Sequence, residues 1–272
     1  IGVMIPVYNE EKYISFCLKS ILKQTLRPAQ IIICDNESTD NTKKIATKIL
    51  NNNNIKFHII TVERRNILGK WNINQVYWKS SKYLHKNLDL VACIEADIVL
   101  DEKYFEIISK GFKEDSHIGL SCGILLPFGF PKSFPLEEPY KMTWGANRVY
   151  RYSCWLELSR TIDIRLLPAW DTDHNILSYL RGWKVVQFPK AVSWHLRPIH
   201  PYRGISRVMK YRRVGYPLWW NIYKAIKDFD LGLLVGYICM VFWDTPNFQM
   251  KYIYHQAINN ELSKQIRKIL SF

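Results

Sequence analysis

What this sequence lacks narrows its class before any motif is read. Its six cysteines (Cys17, Cys34, Cys93, Cys122, Cys154 and Cys239) include no closely spaced pair, so no zinc-ligand spacing of the finger type is available. They lie mostly within apolar runs and read as buried thiols in a reducing compartment. No internal repeat is present, and no low-complexity tract beyond the asparagines at 51–54. No glycine-rich phosphate loop follows the first apolar run. No apolar run is an assured membrane span either: 231–243 falls short of the roughly 20 residues a span needs, and fits a buried helix, a re-entrant segment or the start of an anchor. Acidic residues are also in deficit, 24 against 38 lysines and arginines, for a formal net charge of +14. That excess implies an anionic partner: nucleic acid, nucleotide phosphates or an anionic membrane surface.

What is present is core-forming material. Of 272 residues, 48% are hydrophobic, enough for one large α/β domain with an appendage or for two modest domains, and global disorder is not expected. The stretch Leu90-Val91-Ala92-Cys93-Ile94-Glu95-Ala96-Asp97-Ile98-Val99-Leu100 organises the rest. It reads as a buried strand delivering two carboxylates to its C-terminal end, where an open α/β sheet keeps its ligands. Residues i and i+2 of an extended segment point the same way, so Glu95 and Asp97 can share one hard divalent cation such as Mg²⁺ or Mn²⁺. The competing explanation is that Asp97 caps the next helix while Glu95 is solvated.

The N-terminal part alternates. Residues 1–7 read as a strand, 13–24 carry an apolar helical stripe (Ile14, Cys17, Leu18, Ile21, Leu22), 31–34 form a second strand, and 57–62 a third. Strand–helix–strand alternation predicts a parallel, doubly wound sheet. The turn Asp35-Asn36-Glu37-Ser38-Thr39-Asp40-Asn41-Thr42 is rich in groups able to bond a nucleoside, though Asp40 equally suits a helix cap. Arg64, Arg65 and Lys70 form a basic loop that can hold a diphosphate or simply be solvated. Further on, 118–126 and the pair 185–188 and 191–194 read as strands. The loop 127–139 and the segment Thr143-Trp144-Gly145-Ala146-Asn147 lie between. Asp171 and Asp173 open a helical pattern that closes at Gly182.

Ile5-Pro6-Val7-Tyr8-Asn9-Glu10, the acidic turn from Asp35, and Glu95-Ala96-Asp97 occur in the order and approximate spacing of the family 2 glycosyltransferases. The chain resembles that family over roughly its first 200 residues. The resemblance implies a GT-A (Rossmann-like) fold, with a mostly parallel central sheet flanked by helices across 1–200, and a helical basic and aromatic extension over 201–272. It implies a metal-dependent, inverting transfer of sugar from a nucleoside diphosphate. Pro6, Tyr8, Asn9, Glu10, Asp35 and Asn36 would line the nucleoside pocket, Arg65 and Lys70 the diphosphate, and Ala96 would lie between the acids beside the donor. Asp97 would hold Mg²⁺ or Mn²⁺, with Glu95 on the ribose, the metal or its water, and His195 as a third ligand. Asp171 would be the catalytic base, with Asp173 its competitor. Three positions depart from the family pattern: Asn36 stands where a second aspartate is common, Glu95 where an aspartate is, and Trp170 where an acid precedes the base.

From 201 onward, Arg203, Arg207, Lys210, Arg212 and Arg213 interleave with Tyr216, Trp219, Trp220 and Tyr223. This mixture suits peripheral contact with an anionic bilayer better than single-stranded nucleic acid, so no nucleic-acid partner is expected. The expected setting is cytoplasmic, at the cytoplasmic face of a membrane if the tail meets lipid. The expected acceptor is a glycan or a lipid-linked molecule. A polyprenyl-phosphate sugar transferase, a nucleotidyltransferase and a non-catalytic nucleotide-sugar- or glycan-binding protein remain as alternatives.

Overall fold

A computed structural model describes residues 1–63, 73–127, 143, 145–161, 170–197 and 226. Compactness divides the chain into two units, Ile1–Ile199 and His200–Phe272. The elements below all belong to the first. β1 (Gly2–Val7), α1 (Ile14–Leu22), β2 (Gln30–Asp35), α2 (Thr42–Asn51), β3 (Lys56–Thr61), α3 (Ile73–Ser81) and β4 (Leu90–Ile94) alternate as the sequence predicts. β1, β2 and β4 are buried at every position. Strands covered on both faces need apolar residues throughout, which is why these read as unbroken runs and not as alternating ones.

The second half comprises β5 (Ile98–Leu100), α4 (Tyr104–Glu114), β6 (Ile118–Pro127), β7 (Asn147–Arg151), α5 (Tyr152–Thr161), α6 (Trp170–Leu180) and β8 (Lys184–His195). Among the described residues, eight strands make one sheet in the order β3-β2-β1-β4-β7-β6-β8-β5. The pairs β2/β3, β1/β2, β1/β4 and β6/β8 are parallel, and those made by β7 and β5 are antiparallel. This is the expected mostly parallel sheet with helices around it.

That order forces the sheet to curl. A flat sheet would set β5 four strand spacings, about 19 Å, from β4. The four steps from Ile94 to Ile98 reach at most about 14 Å. β7, β6 and β8 must therefore bend round, and Tyr104 of α4 holds the bend from within. Its buried hydroxyl donates to the Asn147 carbonyl (2.5 Å) and accepts from the Gly123 amide (2.8 Å). α1 closes the β5 side. Its one buried polar residue, Ser20, and Gln24 just beyond its end both brace that side: Ser20 Oγ accepts the Leu100 amide (3.1 Å), and Gln24 bonds the Asp101 carbonyl (2.6 Å) and the Phe105 amide (3.0 Å).

Three local expectations change. The run 90–100 is two strands interrupted at Glu95–Asp97, because β5 leaves β4 to pair with β8. The two short strands expected at 185–188 and 191–194 are one, with a register break in which Gly123 pairs Phe188 and Ile124 pairs Val192. β7 and α5 are additions to the sequence reading: they abut at Arg151/Tyr152 with no turn between them, so a strand pattern (Val149, Tyr150) runs straight into a helical one (Cys154, Trp155, Leu158). The helix stop at Gly182 is as expected. It takes φ of +79°, donates to the Tyr179 carbonyl (3.0 Å), and the Trp183 amide bonds the Ser178 carbonyl (2.9 Å), the pairing of a left-handed helix terminus. The five described cysteines are free and buried. Burial pushes Cys34 and Cys154 up to about 12, so these are inert thiols.

Between β7 and α6 lies a buried polar cluster. His174 Nδ1 is 2.8 Å from the Tyr150 hydroxyl, and both rings meet Trp155 edge to face. Burial, helped by the positive charge of Arg148, pushes the His174 imidazole down to about 3. An unfolded chain takes up a proton there below about pH 6.5 while the folded chain does not. The stability this site contributes is therefore complete above that pH and is lost as pH falls toward 3. We expect urea unfolding between pH 7.5 and 4.5 to show wild type losing up to about 1.4 kcal/mol more per pH unit than His174→Asn; equal slopes would show that His174 is not the titrating group.

Candidate active site

The site forms at the C-terminal ends of β1, β2 and β4. Beyond β1 and β2, the two connecting loops are laced to each other. Asn9 donates its amide to Ser38 Oγ (3.1 Å) and accepts from the Thr39 amide (2.9 Å). The Glu10 amide donates to Thr42 Oγ1 (2.7 Å) and the Glu11 amide to Asp40 (3.1 Å). Asp40 also accepts the Thr42 amide (3.0 Å) at the start of α2. Burial pushes the Asp40 carboxyl up, but the bonds from Thr42 and Glu11 outweigh it and hold it below the ordinary aspartate value. Asp40 thus supports the first turn of α2 through the Thr42 amide from one position ahead of the capping residue, Asn41. Asn9 and Glu37 adopt φ of 54° and 61°, a left-handed conformation that non-glycine residues hold only when neighbours enforce it.

Of the residues expected around a nucleoside, Pro6 sits within β1 and is paired with Cys34 of β2. Asp35 and Asn36 are buried, and Tyr8 and Glu10 are half-buried. Asp35 accepts from the Ser38 amide through both oxygens (3.2 and 3.3 Å) and pairs with Lys43 at 3.0 Å. Asn36 donates its amide to the Val7 carbonyl (2.9 Å). The structure therefore gathers these six residues on one rim, with Asn9 and Asp35 already engaged in building it. Arg64, Arg65, Lys70 and Trp144 lie outside the described residues, as do the loop 128–142 and the basic and apolar stretches after 200, Ile226 excepted.

Among the described residues, ligand atoms of Glu95, Asp97 and His195 lie within 4.8 Å of one another. The convergence has a different origin from the strand alternation expected. Residues 95–97 form a turn in which the Ile98 amide bonds the Glu95 carbonyl (3.2 Å), and His195 arrives because Ile98 pairs with it across β5/β8. The Leu196 amide bonds the Asp97 carbonyl (2.9 Å) and locks this register. Asp97 is 5% exposed, with His195 Nε2 3.6 Å from its Oδ2. His195 Nδ1 lies 2.6 Å from the Arg197 carbonyl. A carbonyl only accepts, so Nδ1 carries the proton and a neutral ring turns the lone pair of Nε2 toward Asp97. Two carboxylates and an imidazole lone pair are a fitting donor set for Mn²⁺ or, with more water, Mg²⁺.

Sequence reasoning missed two parts of this arrangement. The first is Arg197, which pairs with Glu10 through Nη2, lies 3.4 Å from Asp97 Oδ2 through Nη1, and stacks over the Tyr13 ring at 4.8 Å. Burial pushes the Glu10 carboxyl above its ordinary value, and Arg197 pulls it only part of the way back. The His-x-Arg spacing was its only signal. The second is the tie between the Glu95–Asp97 turn and α6. The Glu95 amide bonds the Ala146 carbonyl (2.9 Å). Thr143 donates its amide and hydroxyl to Asn175 Oδ1 (3.0 and 2.8 Å), and Asn175 Nδ2 returns a bond to the Thr143 carbonyl (3.2 Å). The fully buried Arg148 reaches the same carbonyl (2.9 Å). α6 carries Asp171 and Asp173 at its start; Asp173 is 0% exposed, and the Asp171 side chain lies outside the described residues.

Comparison with known proteins follows this geometry. The sequence matches the family model of Glycosyl transferase family 2 over residues 2–169. It is 29% identical over 218 residues to poly-beta-1,6-N-acetyl-D-glucosamine synthase of Staphylococcus aureus, covering 73% of this chain and 50% of that protein. The chain thus spans about half the length of the curated relatives it matches. The fold resembles the mannosyltransferase PcManGT of Pyrobaculum calidifontis in complex with GDP-Man and Mn²⁺, with TM-score 0.59 and 17% identity over 96% of this chain and 74% of that one. It also resembles S. aureus TarS 1–349 in complex with UDP-GlcNAc, with TM-score 0.58 and 17% identity over 89% and 72%.

The Thr143–Asn175 tie generates a direct expectation. Asn175→Ala leaves two buried donors of Thr143 without their acceptor and should cost about 2–4 kcal/mol in urea unfolding; a loss below about 1 kcal/mol would mean that α6 is held to this segment by other contacts.

Proposed function

The chain belongs to Glycosyl transferase family 2, and from that premise we propose that it moves a sugar from a nucleoside-diphosphate donor to a hydroxyl of a glycan or lipid-linked acceptor, inverting the anomeric carbon. The convergence of Glu95, Asp97 and His195 within 4.8 Å carries this reading. It stands beside the rim built by the Tyr8–Glu10 and Asp35–Thr42 loops. The complexes of PcManGT with GDP-Man and Mn²⁺ and of TarS with UDP-GlcNAc support the donor class.

Asp97, Glu95 and His195 would hold the metal, and a bound Mg²⁺ or Mn²⁺ supplies positive charge where the diphosphate gathers negative charge on leaving. The remaining work belongs to this chain's residues. Tyr8, Glu10, Asp35 and Asn36 place the nucleoside, with Pro6 and Asn9 shaping the loop that they sit on and Ala96 spacing the two acids. Arg65 and Lys70 meet the diphosphate. Asp171 removes the proton from the acceptor hydroxyl while its oxygen bonds the anomeric carbon and the bond to the diphosphate oxygen breaks from the opposite side. No covalent enzyme intermediate is required. The full burial of Asp173 favours Asp171 for this task, since a carboxylate sealed from solvent has no path to an arriving hydroxyl. Residues 1–200 are the catalytic domain in this reading, and 201–272 face the acceptor or an anionic membrane. Among the described residues, no helix is long and apolar enough to cross a membrane.

The test is donor consumption. Purified protein is incubated with Mn²⁺, a panel of UDP-, GDP-, dTDP- and CDP-sugars and a membrane lipid extract, and released nucleoside diphosphate is measured. We expect metal-dependent release from one donor, abolished by Asp97→Ala and lowered about 10²–10⁴-fold by Asp171→Asn. A folded Asp171→Asn protein with full rate would remove the base and favour an acceptor that is already ionised, such as a polyprenyl phosphate. Release of pyrophosphate would point to nucleotidyl transfer, and binding of a donor without consumption would point to a non-catalytic role.

A further inference from the structure

The metal reading gives no task to Arg197, although its side chain occupies the most charged position in the site. Glu10, Glu95 and Asp97 bring three carboxylates to a confined space, and the side chains of Glu10 and Asp97 are only 13% and 6% exposed. Like charges so placed repel unless a cation lies among them. Arg197 supplies one. It bonds Glu10, approaches Asp97 Oδ2 at 3.4 Å and rests on Tyr13 at 4.8 Å. The oxygen it addresses is the same one that His195 Nε2 faces at 3.6 Å, so guanidinium and metal draw on one ligand atom. Arg197 also has somewhere to go: its side chain is 41% exposed, and Glu10 anchors it whether or not it touches Asp97.

We propose that Arg197 is a built-in competitor of the metal, holding Asp97 while the site has no donor and turning to the donor's diphosphate when metal takes Asp97. This rests on the metal and donor reading above. A planar guanidinium suits phosphate oxygens as well as carboxylates, so the swing exchanges one anionic partner for another at little net electrostatic cost. The consequence is that metal and nucleotide favour each other. Nucleotide relieves Asp97 of its competitor, and metal frees the guanidinium for phosphate; by linkage the two effects are equal. Arg197 is accordingly a positioning residue toward the metal. Its main-chain carbonyl, which orients the His195 ring, is untouched by side-chain substitution.

The experiment measures Mn²⁺ binding directly, by the loss of the free-ion electron paramagnetic resonance signal, on nucleotide-free wild type, Arg197→Ala, Arg197→Lys and the double variant Arg197→Ala/Asp97→Ala. Thermal melts and circular dichroism select folded protein, with Arg197→Gln replacing the alanine variant if that fails to fold. Arg197→Ala should bind Mn²⁺ about tenfold or more tightly than wild type, as removal of a unit charge a few ångströms from the ligand atom requires. Arg197→Lys should stay near wild type, and the double variant should lose the gain. Saturating UDP or GDP should tighten Mn²⁺ binding in wild type but much less in Arg197→Ala. Equal Mn²⁺ affinity in Arg197→Ala and wild type, with binding still lost on removing Asp97, would overturn the competition and leave the metal site standing. Mn²⁺ binding insensitive to Asp97 in every protein would overturn both.

Discussion

The three-residue ladder between β5 and the end of β8 holds the functional centre together. The chain leaves β4 at Ile94 and re-enters the sheet at Ile98, on the far side of three intervening strands. The sheet has to curl for so short a link to close. Closing it sets His195 opposite Ile98 and ties Leu196 to Asp97. Residues separated by about a hundred positions thereby share a space a few ångströms wide. The supports of this ladder are buried polar groups from neighbouring segments: Ser20 of α1 and Gln24 just after it, beneath β5, and Tyr104 of α4 within the curl. Each would be costly to bury without its partner, and each has one.

The rim formed by the loops after β1 and β2 shows the same economy. Asn9, Asp40 and Thr42 spend hydrogen bonds on the facing loop, and Asp35 spends its own on Ser38 within its turn. The polar turn after β2 is therefore a constructed edge, built in part by its own side chains. Two left-handed residues, Asn9 and Glu37, are held by that lacing. Loops organised before a ligand arrives lose less entropy on binding it, and their rigidity transmits position from β1 and β2 to whatever they contact.

Charge is distributed unevenly. The chain as a whole carries +14, yet the described centre concentrates Glu10, Glu95 and Asp97 around one histidine and one arginine. A basic molecule with an acidic focus attracts an anionic ligand and its cation together. Beside that focus, Arg148 of β7, Thr143 and Asn175 form a buried, hydrogen-bonded strut that ties α6 to the segment bonded to the Glu95–Asp97 turn, so the base proposed on α6 and the ligands proposed on the turn are linked by one set of buried bonds.

The primary sequence determined the alternation of the first half, because strands buried on both faces and helices with one apolar stripe leave distinct periodicities. It determined the family as well, since Pro6-Val7-Tyr8-Asn9-Glu10, the turn from Asp35 and Glu95-Ala96-Asp97 are local strings whose order survives without coordinates, and His195 followed from them. It left β7 and α5 unread, where a strand runs into a helix with no turn between them, and it took 90–100 for one strand. Only the tertiary structure decided that Glu95 and Asp97 sit in a turn, that β8 is continuous through its register break, that Asn175 braces Thr143, and that Arg197 reaches both Glu10 and Asp97. The physical reason is separation along the chain: periodicity and motifs report what residues a few positions apart do together, whereas Glu10 and Arg197 meet only because a curled sheet brings β1 and the end of β8 to the same edge.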